Sequence, residues 1–315
     1  MNTEFSKKYG IDPQLLNLDC WAALAPSLKL SASLAPSGEF VDFGQEEIQK
    51  HVSGIRNEGY LITKSLVPPE TRNSLINGID ELVSRRFNPT WALLYDDFWN
   101  LFMSMRPLAK SILGDNYKYV TGNYIFIVDN TDSASGWGVH RDLPFRNSIR
   151  EDGLPDIMSL WVALTDATPL NSCLYCLPAS RDPNYPHNLP NQSIQHVEDI
   201  ECMAVQAGQV IGLNHGLLHW GSRSSSRGAS RRVSFVFDIQ RGDVPCYHEA
   251  LLDPTSPITF EQRAAYVGHV LLWLSRYNVR FSSRDLKLAD AMVREYGHLI
   301  GVGSKFLDTY AALET

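Results

Sequence analysis

The spacing of apolar and polar positions changes twice along the chain. Over residues 45–57, Ile48, Val52 and Ile55 recur at helical spacing, and Gly59 supplies a stop. Gly59-Tyr-Leu-Ile-Thr-Lys64 then reads as a strand. Pro68-Pro-Glu-Thr71 opens a second helix, with Leu75, Ile76, Ile79 and Leu82 on one side, that runs to about residue 86. A third helix is expected over residues 96–113, with Pro107 as a kink or boundary and with Trp99, Leu101, Phe102 and Met105 in the core. From residue 117 the pattern becomes short β-rich runs broken by Gly, Pro, Asn and Asp. They cover 117–128, 157–164, 174–177, 210–213, 217–220 and 232–239. Such a series predicts a mainly β fold, a sandwich, jelly roll or barrel, with the preceding helices packed on one outer sheet.

After Gly242 the chain turns helical again. Thr259-Phe-Glu-Gln262 has the form of a capping box ahead of a helix over 264–277, and 285–296 reads as a last helix closed by Gly297. This gives an irregular N-terminal arm with one short helix over 1–44, a central domain over 45–240 and a helical extension over 241–315 packed on the same domain. The extension could cover a barrel mouth, mediate a homodimer or plug an open face.

Composition changes this picture little. The chain has 315 residues and a formal charge of −7, which argues against a nucleic-acid or anionic-membrane surface over the whole chain. The start, Met1-Asn-Thr-Glu-Phe-Ser-Lys-Lys8, lacks the apolar core of a secretory signal, and no apolar run is long enough to span a bilayer. A cytoplasmic protein is expected. Five scattered cysteines fit free thiols. Cys173-Leu-Tyr-Cys176 has a C-x-x-C form, but in a strand its thiols point to opposite faces, so it reads as structural.

The candidate chemistry centres on Trp137-Gly-Val-His-Arg-Asp142. His140 and Asp142, one residue apart on an extended segment, send their side chains to the same face. A second histidine from elsewhere would complete the facial triad of non-haem Fe(II) oxygenases. Two histidines compete for that place. Asn214-His-Gly216 is a turn triplet that puts His215 at a loop tip, whereas Leu217-Leu-His-Trp220 resumes a strand, which favours His219. His187 and His196 fall in a Pro/Asn-rich loop. His51, His269 and His298 fall on helices, and His248 follows Pro245-Cys-Tyr247 without a pattern.

Beyond His219, Arg232 and Ser234 stand two apart on a strand, so a guanidinium and a hydroxyl share a face suited to a carboxylate. Strand register decides whether Arg231 or Arg232 faces inward. Ser234, on the same face as Arg232, favours the latter.

With these segments in view, the chain resembles the phytanoyl-CoA dioxygenase family of Fe(II)/2-oxoglutarate oxygenases over residues 59–240. The resemblance is carried by Gly59-Tyr-Leu-Ile62 with Leu66-Val-Pro-Pro-Glu70, and by the His140-x-Asp142 motif. It continues through Leu160-Trp-Val-Ala-Leu-Thr-Asp-Ala-Thr-Pro-Leu-Asn171 with Leu177-Pro-Ala-Ser-Arg181, and ends with Gly208-Gln-Val-Ile211, His219 and the arginine strand. Two positions depart from the family pattern: Asn171-Ser172 stands where Asn-Gly is usual, and Pro178-Ala-Ser-Arg181 where Pro-Gly-Ser-His is usual.

The resemblance implies a double-stranded β-helix, a cupin-like jelly roll with the metal between its two sheets. It implies Fe(II) on His140, Asp142 and His219, 2-oxoglutarate as cosubstrate with its distal carboxylate on Arg232 and Ser234, and O2 as the oxidant. The implied reaction is hydroxylation, or another oxidation at an unactivated C–H, of a small organic molecule in biosynthetic metabolism, with release of succinate and CO2. Asp142 disfavours halogenation, because related halogenases lack that carboxylate. Trp161 and Asn123 are expected beside the cosubstrate, and Tyr124, Trp137, Phe145 and Arg146 around the substrate. Arg223 and Arg227 could guide an anionic substrate.

Two rival classes remain at this stage. A cupin-like isomerase or hydrolase would use the same metal ligands without O2, but it has no need of a carboxylate clamp. A non-catalytic jelly-roll binding protein would have no need of the complete ligand set.

Overall fold

The structure is a computed structural model that describes residues 9–36, 38–247, 251–277 and 279–302. Eleven strands occur among the described residues. In chain order they are β1 (Ser33–Leu34), β2 (Tyr60–Ile62), β3 (Tyr117–Val128), β4 (Ile157–Ala163), β5 (Leu174–Leu177), β6 (Glu201–Met203), β7 (Val210–Asn214), β8 (Leu218–Gly221), β9 (Arg232–Arg241), β10 (Leu251–Leu252) and β11 (Ile258–Thr259).

Six strands form one sheet in the order β10-β3-β9-β4-β7-β2, and three form a second in the order β6-β5-β8. Every pairing is antiparallel. Isolated bridges between Ser135 and Arg223 and between His140 and His219 lay the 135–140 segment along the free edge of β8 and extend the smaller sheet. The result is the jelly roll with flanking helices that the sequence predicts.

The helices pack on the outer face of the six-stranded sheet. The residues of β9 show why this face is the core: Val233, Phe235, Phe237 and Ile239 alternate with Arg232, Ser234, Val236 and Asp238, and all four join the large buried cluster. Phe98 of the Asp96–Ser104 helix meets Phe235 edge-on at 5.3 Å, and Phe102 stacks on Phe237 at 4.0 Å. Trp99 reaches Tyr266 of the Phe260–Ser275 helix at 5.4 Å, joining the C-terminal extension to the same core. The expected capping box is formed: Thr259 and Gln262 each accept from the other's backbone N–H.

Local details differ from the sequence reading for physical reasons. The third helix is two, Asp96–Ser104 and Arg106–Leu113, because Pro107 lacks an N–H and belongs in the first turn of a new helix. Gly59 does stop its helix, at a left-handed φ of 80°. Gly297 does not: its φ is −59°, the chain continues as a Gly297–Ile300 turn, and Gly301 at φ 76° ends it. The N-terminal segment is more ordered than an irregular arm. Its Leu18–Leu24 helix buries Trp21 against Phe87 and Trp91, and β1 pairs with β11. β6, a three-residue strand, had too short a pattern to be read. Among the described residues, no helix is long and apolar enough to cross a membrane.

Candidate functional site

Backbone pairing brings the two histidines together. The His140 N–H donates to the His219 carbonyl at 3.0 Å, and the His219 N–H donates back at 2.9 Å, so the residues stand directly opposite one another. Their rings are 4.4 Å apart. Asp142 returns to the same point, with Oδ1 3.4 Å from His140 Nε2 and 4.0 Å from His219 Nε2. One ligand atom from each of the three lies within 4.8 Å of the others.

The other imidazole nitrogens fix the tautomers. His140 Nδ1 is 2.7 Å from the Gly138 carbonyl, and His219 Nδ1 is 3.1 Å from the Leu217 carbonyl. A carbonyl only accepts, so each Nδ1 carries a proton and each Nε2 is the ring nitrogen turned toward Asp142. Burial pushes His219 down to about 4, which makes it a neutral imidazole at pH 7. Burial acts in the same direction on His140, but the hydrogen bond and charge of Asp142 outweigh it and the value rises. Burial alone would raise Asp142; the surrounding His219, His215 and His140 instead hold it well below the usual carboxylate range. Two imidazole nitrogens and a carboxylate gathered at one point are a donor set that fits a divalent cation.

The arginine question is settled by register. Val128 pairs with Arg232 and Phe126 with Ser234, which turns both polar side chains into the jelly roll. Arg232 is 1% exposed and Ser234 is fully buried, whereas Arg231 points out and pairs with Asp80 at 2.6 Å. The Arg232 guanidinium stands 5.3 Å from the Trp161 ring and 5.9 Å from that of Phe126. Its Nε and Nη1, and the Ser234 hydroxyl, have no hydrogen-bond partner in the protein. Burial pushes Arg232 down to about 10, so it stays a cation at neutral pH. A buried guanidinium without a counter-charge is costly, and its natural complement is a carboxylate.

His140, Asp142, His219 and Arg232 line one cavity of about 110 Å³. Trp161, Tyr124 and Trp137 line it too, as read from sequence. Three named residues are placed elsewhere. Asn123 lies in the irregular part of the β3–β9 pairing, where its Oδ1 accepts the Asp238 N–H at 2.9 Å, so it closes a break in the sheet rather than facing the cavity. Phe145 is 88% exposed. Arg146 lies over the Tyr247 ring at 4.1 Å and donates to the Cys246 carbonyl. His187 and His196 are exposed, and His248 is outside the described residues.

Other cavity residues were not singled out from sequence. His215 sits in the turn between β7 and β8, yet it is 1% exposed and faces the cavity. Nothing in its turn triplet signals an inward side chain. Ser159 and Asp238 also line the cavity, and a signal did exist for them: they continue the two-residue periods of Trp161 on β4 and of Arg232 and Ser234 on β9. Trp273 and Leu274 come from the C-terminal extension, at a distance no local pattern reveals.

Residues 92–233 match the model of the phytanoyl-CoA dioxygenase (PhyH) family. Over these residues the chain is similar to that family. The match takes in His140, Asp142, His219 and Arg232 and stops one residue before Ser234. No curated protein matches the chain by sequence. Among solved structures, this PhyH-like chain is similar to the epimerase SnoN in complex with Fe3+, alpha ketoglutarate and nogalamycin RO. The identity is 13% and the TM-score 0.50, over 70% of this chain and 98% of that one. It is also similar to the apo form of the non-heme monooxygenase ThoJ, at 14% identity and a TM-score of 0.50, over 78% of this chain and 99% of that one. At these identities the likeness is one of fold.

Proposed function

We propose that the chain is an Fe(II)- and 2-oxoglutarate-dependent dioxygenase that hydroxylates an unactivated C–H position of a small organic molecule. The observation that carries this reading is the pairing, in one cavity, of a His/Asp/His donor set with a buried arginine and serine whose polar atoms lack partners. The Fe3+ and alpha ketoglutarate named with SnoN support the pairing.

His140, Asp142 and His219 would hold Fe(II), and Arg232 and Ser234 would take the distal carboxylate of 2-oxoglutarate. Bound there with O2, these groups supply C–H oxidation coupled to release of succinate and CO2. The chain's own residues do the rest. The Gly138 and Leu217 carbonyls hold the two imidazoles in the ligating tautomer. The Trp161 and Phe126 rings pack against the guanidinium and keep its fork directed at the cosubstrate pocket. Trp273 and Leu274 of the extension add an apolar wall to the cavity.

Supplied with Fe(II), 2-oxoglutarate and O2, the purified protein should form succinate above a protein-free control, and a mixed metabolite pool should raise the rate. Absence of succinate formation in both conditions contradicts the reading.

A further inference from the structure

The cavity has a third polar surface that neither the ligand set nor the carboxylate clamp uses. β9 directs alternate residues inward, so Arg232 stands near one end and Asp238 six residues on, about 20 Å away at ordinary strand rise. Asp238 is 6% exposed, and the Ser159 hydroxyl donates to its Oδ1 at 2.6 Å. His215 Nε2 lies 3.0 Å from the Ser159 hydroxyl, 3.7 Å from Asp238 Oδ1 and 4.0 Å from Asp142 Oδ2. One imidazole therefore separates Asp238 from a residue of the ligand set, and Asp238 stands at the reacting end of the cavity.

The neighbouring strand β3 is cut away to admit this carboxylate. Gly122 lines the cavity, and a Cβ there would fall 1.8 Å from Asp238 Oδ2. Among the described residues, no lysine or arginine comes within ion-pair range of Asp238; its ion-pair contact is His215. The nearby walls contributed by Tyr124, Trp137, Trp273 and Leu274 are aromatic or apolar.

We propose that Asp238, supported by Ser159 and His215, anchors a hydrogen-bond-donating group of the substrate, an amine or a hydroxyl, on an otherwise apolar skeleton. This rests on the oxygenase reading of the same cavity and adds the class of molecule it accepts. A carboxylate makes its strongest hydrogen bonds to charged or polar donors, and an ammonium gains further from the aromatic faces. A carboxylate or phosphate at the same place meets like charge in a water-poor site and is rejected.

The test uses the protein loaded anaerobically with Mn(II), a redox-silent ion, and 2-oxoglutarate. Uptake of both is measured first, and calorimetry then follows phenethylamine, phenethyl alcohol and phenylacetate, which share one skeleton. The amine or the alcohol should bind roughly tenfold or more tighter than the acid, and the better of the two identifies the donor. Asp238→Asn should take up Mn(II) and 2-oxoglutarate as the wild type does and lose most of this discrimination. Should Asp238→Asn fail to fold, Ser159→Ala, which removes the hydroxyl that orients the carboxylate, should reduce the discrimination severalfold. Failure of the wild type to take up Mn(II) and 2-oxoglutarate overturns the oxygenase reading and the anchor with it. Normal uptake with equal binding of the three probes, with the acid bound best, with none bound, or with discrimination intact in the variant, overturns the anchor alone.

Discussion

The two faces of β9 are made from the same ten residues and have opposite characters. Its outer face packs Val233, Phe235, Phe237 and Ile239 against helical aromatics, with Arg241 on the same side at the end of the strand. Its inner face presents the buried Arg232, Ser234, Asp238 and Gln240 around a half-buried Val236, with Nε and Nη1 of the guanidinium and the serine hydroxyl lacking partners. The outer face lowers the free energy of the fold. The inner face raises it, because desolvated polar groups without partners cost stability, and it persists because the outer face over-determines the strand. One register therefore fixes both the core and the candidate site, and substitutions on the two faces should separate stability from ligand binding.

The largest expected effect is on the outer face. Phe237→Ala removes a stacked, buried ring and should lower unfolding free energy by about 3–5 kcal/mol in chemical denaturation. In the protein that remains folded, Mn(II) affinity should stay close to wild type. Next comes His219→Ala, which should weaken Mn(II) or Fe(II) binding by about 100-fold or more in a metal titration, with the melting transition nearly retained. Wild-type metal affinity in that variant would falsify the third ligand. Arg232→Ala should raise the 2-oxoglutarate concentration needed for half-maximal uptake by roughly 10- to 100-fold, through loss of a charge-assisted partner worth about 1.5–3 kcal/mol. The smallest effect is expected for Arg231→Ala, one residue away. Its half-exposed pair with Asp80 contributes about 1 kcal/mol or less to stability and nothing to 2-oxoglutarate uptake. A larger cosubstrate defect in Arg231→Ala than in Arg232→Ala would reverse the assignment of the two faces.

The same contrast explains what could be read from the sequence. Period-two alternation is local, so β3, β4 and β9 are legible to within about two residues, and with them the shared face of Arg232 and Ser234; His140 and Asp142 instead converge on a segment outside the named strands, held by an isolated bridge at His140. His219 was separable from His215 as a ligand candidate because one lies on a strand and the other in a turn. The inward turn of His215 was not legible, since it depends on Ser159 and Asp238 arriving from two other strands. Asn123 illustrates the converse. It sits on a readable strand, but the irregular register between Val120 and Tyr124 spends its side chain on the Asp238 backbone. The contribution of Trp273 and Leu274 to the cavity wall depends on the packing of a distant helix, which no spacing within that helix encodes.

An anaerobic titration of the wild-type protein with Fe(II) and then 2-oxoglutarate, followed in the visible spectrum, tests the central claim most directly. The account predicts a weak charge-transfer band that needs both additions, is absent in His219→Ala, and in Arg232→Ala forms only at much higher 2-oxoglutarate. Tight Fe(II) binding with no band at any 2-oxoglutarate concentration would contradict it.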